Sequence, residues 1–71
     1  MKPVWELKTQ DYDVKSYQVS IGNQVIGWVD IEYEDRRVLS YAAIAENSNE
    51  IKYCRSRAEC TKYLVNMHKS T

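Results

Sequence analysis

The 71-residue sequence has no phenylalanine, one proline, two glycines, two cysteines and one histidine. Each scarcity removes a class of explanation. Two cysteines at Cys-x5-Cys spacing and one histidine cannot supply the four ligands of a structural zinc site. They are also too few for the disulfide framework of a small secreted domain. Free cysteine is among the most buried residue types, so Cys54 and Cys60 read as reduced, structural core residues. Gly22 and Gly27 are isolated, so neither a glycine-rich phosphate loop nor a hydrolase nucleophile elbow is present. His68 is the single imidazole and falls in the expected last turn of a helix, which leaves neither thiol a fixed general base. The expectation is therefore a protein that is not an enzyme, with no catalytic residues, no cofactor and no metal.

Long apolar runs are absent as well. No stretch of about 18 apolar residues could span a bilayer, and Met1 to Glu6 lack the apolar core and cleavage site of a secretory signal. This reading predicts a cytoplasmic protein without a membrane partner. With no linker, repeat or low-complexity tract, residues 1–71 form a single domain, of a size at which one hydrophobic core only just offsets chain entropy.

What is present is globular in character: 44% hydrophobic residues, two tryptophans, six tyrosines and 28% charged residues. Formal net charge is zero, which removes the simplest argument for a nucleic-acid partner. The charge is unevenly spread. Residues 1–35 hold three lysines against seven acids, and residues 36–71 hold seven basic residues against three acids.

Tyr17 to Ile21 alternate apolar and polar side chains, as a strand with one buried face requires. Gly22-Asn23-Gln24 reads as a turn leading into a longer strand, Val25 to Tyr33. A three-residue loop would set Tyr17, Val19 and Ile21 beside Val29, Gly27 and Val25. That register collects β-branched residues on one face and leaves Asp30 and Glu32 in water. A turn at Glu34 to Arg37 precedes a third strand, Val38 to Ala45, with Val38, Ala42 and Ile44 directed to the core. Glu50 to Cys54 give a short fourth strand, and Trp5 and Leu7 a brief edge strand. Ser56-Arg57-Ala58-Glu59 has the pattern of a capping box that opens a helix. Cys60, Tyr63, Leu64 and Met67 then form one apolar stripe, ending near His68 or Lys69. Gly27, without a side chain on the core face, would admit that helix closely. The predicted fold is α+β: a three- to four-stranded antiparallel sheet with one C-terminal helix packed on one face.

A lone helix leaves the reverse of the sheet uncovered. On the assumed registers Ile26 and Trp28 lie there beside Leu39, Tyr41 and Ala43, with Asp30 and Glu32 at the rim. Large aromatic side chains in such a patch favour docking of a protein partner or of a second copy of the chain. The plainer alternatives are that the two faces are reversed, or that the N-terminal segment folds over the patch. A second functional reading is nucleic-acid binding through Arg55, Arg57, Lys62 and Lys69 near the helix.

The stretches YQVSIGNQVIGWV at 17–29, YAAIAE at 41–46 and SRAECTKYLV at 56–65 resemble the layout of small strand-strand-strand-helix accessory proteins of bacteriophages and mobile elements. That resemblance implies a regulatory or accessory factor that binds host machinery. Some proteins of similar shape, such as integrase arm-binding domains, bind DNA through the sheet.

Overall fold

The computed structural model describes residues 2–70, and over them the chain forms five strands followed by one helix. The strands are β1 (Val4–Gln10), β2 (Val14–Ile21), β3 (Gln24–Glu34), β4 (Arg37–Ala45) and β5 (Ile51–Cys54), and the helix is α1 (Arg57–Lys69). The sheet order is β1-β2-β3-β4-β5, every neighbouring pair antiparallel. The architecture is α+β with a C-terminal helix, as expected. Five strands replace the predicted three or four, because the N-terminal segment is a full seven-residue edge strand.

The β2–β3 loop shows how the register arises. Ile21 pairs with Gln24 across a two-residue Gly22-Asn23 turn, in which Gly22 has φ 61°. A glycine with positive φ at the first central position fits a tight hairpin. Next, Ser20 pairs with Val25 and Val19 with Gly27, so Ile26 is an extra residue in β3. This β-bulge restores the expected pairs Val19–Gly27 and Tyr17–Val29. The anticipated three-residue loop is thus replaced by a shorter loop plus a bulge.

The β3–β4 turn has a larger consequence. Asp35 and Arg36 both have left-handed φ, 50° and 69°, and Glu34 pairs with Arg37. Tyr33 pairs with Val38 but Glu32 with Ser40, which makes Leu39 a second bulge residue. A one-residue slip turns every later side chain to the other face. Tyr41, Ala43 and Ala45 therefore share the face of Gly27, Val29 and Ile31, whereas Ala42 and Ile44, expected in the core, lie on the reverse.

Helix α1 begins where the capping box placed it. The Glu59 N–H donates to Ser56 Oγ at 3.1 Å, and the Glu59 carboxylate reaches back to the Arg55 N–H at 3.2 Å. The other end is tied down by Asn47 Nδ2, which donates to the Met67 carbonyl at 3.0 Å. Between these ends Leu64 lies over Gly27. A methyl group at position 27 would come within 2.5 Å of Leu64 Cδ2 and 2.6 Å of the Ile44 carbonyl oxygen. Gly27, with Ala43 and Ala45, is therefore what lets the helix approach the sheet closely. The buried core comprises Val19, Ile26, Val29, Ile31, Ala43, Ala45, Cys54, Cys60 and Leu64.

A candidate protein-docking face

The N-terminal strand does not cover the reverse of the sheet. Trp5 pairs with Val19 and so belongs to the helix side. There its indole Nε1 donates to Thr61 Oγ1 at 3.0 Å. The Arg57 guanidinium lies 4.4 Å from the Trp5 ring centre and 5.1 Å from that of Tyr17. This cation–π stack ties the first turn of α1 to β1 and β2. β1 thus extends the covered side and leaves the reverse open.

Cross-strand registers define the composition of that open face. One row across the sheet runs Glu6–Gln18–Trp28–Ile44–Ile51, the next Ser16–Asp30–Ala42–Tyr53, and a third Val14–Glu32–Ser40. Trp28 is 39% exposed, Ile51 52% and Tyr53 66%. With Ala42 and Ile44 between them, these residues make a continuous apolar and aromatic strip over β3, β4 and β5. Asp30, half-buried, and Glu32, exposed, follow Trp28 along the same side of β3.

Some of the residues expected on the open face lie there and others do not. Trp28, Asp30 and Glu32 stand together on the open face. Ile26 does not join them: as the bulge residue of β3 it is only 2% exposed and belongs to the core with Leu64. Tyr41 also moves to the helix side, where it packs against the core opposite Ile31 and Cys54. Leu39 is exposed, but at the bulge near the end of the hairpin, away from the Trp28 row. Ala43, expected beside them, is buried under the helix. Ile44, Ile51 and Tyr53 take the places of these residues. The missing clue was the alternation of Ala43 and Ala45 with Ile44. Only the alanines are small enough to sit with Gly27 under a close helix.

The basic residues proposed for nucleic acid are less convergent. Lys62 and Lys69, seven residues apart, share one exposed side of α1. Arg57 is about 140° away around the helix at roughly 100° per residue and is committed to Trp5 and Tyr17. Arg55 precedes the helix.

An open cleft of about 780 Å³ lies at the end of the sheet between the β1–β2 and β3–β4 turns. Asp11, Asp13, Glu34 and Asp35 line it with Lys15, Tyr33 and Arg36, and it contains neither a thiol nor an imidazole. Among the described residues no group of three or more His, Cys, Asp or Glu side chains is arranged to hold a metal ion. Nor is any helix among them long and apolar enough to cross a membrane. No protein-family model, curated protein or solved structure gives a significant match to this chain.

Proposed function

We propose that the chain is a small non-enzymatic accessory or regulatory binding protein whose open sheet face docks a protein partner. The observation that carries this reading is the contiguity of Trp28, Ile44, Ile51 and Tyr53 on a face that neither α1 nor β1 covers. Exposed aromatic side chains of this kind bring large rigid area to an interface and commonly anchor it. Asp30 and Glu32 at one end of the strip favour a partner that surrounds its own apolar contact with lysine or arginine. The site residues are Trp28, Ile44, Ile51 and Tyr53, with Asp30 and Glu32 at the rim.

A paired measurement tests the proposal. Partners captured by the unaltered chain are compared with those captured by Trp28→Ala and by Lys62→Ala, each shown to be folded by circular dichroism. Affinity for a purified partner should then fall about 30-fold, or about 2 kcal/mol, in Trp28→Ala and stay unchanged in Lys62→Ala. Equal affinity for all three proteins would reject the face. Sedimentation distinguishes a second copy as the occupant: a dimer that Trp28→Ala dissociates would make self-association the role of this surface.

A further inference from the structure

The two cysteines come from different elements and meet in the core. Cys54 ends β5 and Cys60 lies in the first turns of α1, with only the short crossing and helix start between them. Both are free and buried, Cys60 at 0% and Cys54 at 7% exposure. Cys54 and Cys60 belong to one cluster of buried side chains. Cys54 Sγ donates to the Lys52 carbonyl at 3.7 Å. Neither thiol is needed for the docking face, which lies on the other side of the sheet.

We propose that Cys54 and Cys60 are a disulfide-forming pair, closed by exchange with a small-molecule disulfide such as oxidised glutathione, that pins the first turns of α1 to the end of β5. In the first step the Cys54 thiolate attacks one sulfur of the oxidant. The oxidant's S–S bond breaks, a mixed disulfide forms, and one small thiolate leaves. Deprotonated Cys60 then attacks the Cys54 sulfur, forms the intramolecular bond and expels the second small thiolate. Two protein thiols lose two protons and two electrons, and the oxidant is reduced to two thiols.

Burial determines when this happens. Desolvation by burial first, then the neighbouring Cys54 side chain and the charge of Glu59, push the Cys60 thiol up to about 12. Thiolate is the attacking species, so the closed core resists exchange, and reaction waits on opening of the β5–α1 connection. Cys54, the less completely buried thiol, takes the first bond. Once formed, the bridge closes a short ring and removes freedom from the unfolded chain.

The chain itself provides a direct readout. Trypsin cuts after Lys52, Arg55, Arg57 and Lys62, releasing Tyr53 to Arg55 separately from Ala58 to Lys62. These two peptides stay joined only if Cys54 and Cys60 are bonded. The unmutated protein is equilibrated with oxidised glutathione, its remaining thiols are alkylated, and it is digested without reductant. The expected results are the joined peptide pair, a monomer lighter by two hydrogens, and a Tm raised by roughly 5–10 °C that returns to the starting value on reduction. Glutathione adducts alone, disulfide-linked dimers, fully reduced thiols at equilibrium, or a joined pair with lowered Tm would each overturn the proposal. Every comparison uses the unmutated chain, so none depends on whether a cysteine variant folds.

Discussion

The two faces of this sheet are built from alternate residues of the same strands, yet they have opposite chemistry. On the covered face, Gly27 carries no side chain because Leu64 and the Ile44 carbonyl fill the space a methyl group would need, and the small Ala45 pairs with it. On the open face the same strands carry Trp28 and Ile44, with Ile51 and Tyr53 beyond, and no element of the described chain lies over them. Small residues thus mark the place where the helix comes closest to the sheet, and large exposed ones mark the face left open. A substitution on the covered face should appear in stability, and one on the open face in association.

Leu64→Ala tests the covered side hardest. It removes the side chain that fills the space over Gly27 and should cost about 3–5 kcal/mol in denaturant unfolding, which approaches the whole stability of so small a domain. Gly27→Ala attacks the same contact by overfilling it. With the Ile44 carbonyl as well as Leu64 in the way, a loss of about 3 kcal/mol is expected, and one below about 1 kcal/mol would show that the two faces differ less than their packing implies.

Trp28→Ala sharpens the contrast from the other side. Stability should fall by only about 1 kcal/mol, the scale of a cross-strand pair, while the loss in partner affinity is the larger effect. A stability loss equal to that of Leu64→Ala would mean that the open face is part of the core. Ser56→Ala removes the hydroxyl that accepts from the Glu59 N–H. It should lower the unfolding free energy by about 1 kcal/mol without altering affinity, since it loosens the helix and leaves the open strip in place. The smallest expected effect has the opposite sign. Arg36 has φ 69° in the β3–β4 turn, a region glycine occupies at less cost, so Arg36→Gly should raise stability by about 0.5–1 kcal/mol in the same titration.

Much of the fold was legible in the residues. The capping box at Ser56 and Glu59 located the start of α1, and the Cys60-Tyr63-Leu64-Met67 stripe identified the side it buries. Alternation in Tyr17 to Ile21 identified β2, and the absent side chain at Gly27 anticipated the close approach of the helix. The candidate site was half legible. Trp28, Asp30 and Glu32 were assigned to the face they occupy because the Val19–Gly27 and Tyr17–Val29 pairs were read as they stand. Ile26 and Tyr41 were misplaced for one reason: each lies in or just beyond a bulge, and period-two alternation assumes none.

Local chemistry therefore settled the identity of the elements: turn residues with the right backbone freedom, a cap with its reciprocal partners, and side chains alternating at the strand period. Tertiary structure decided which side each part of a strand presents. A bulge adds one residue without altering the composition of its strand, so its position depends on packing between distant residues. At Leu39 that addition carries Tyr41, Ala43 and Ala45 under the helix and leaves Ile44 beside Trp28.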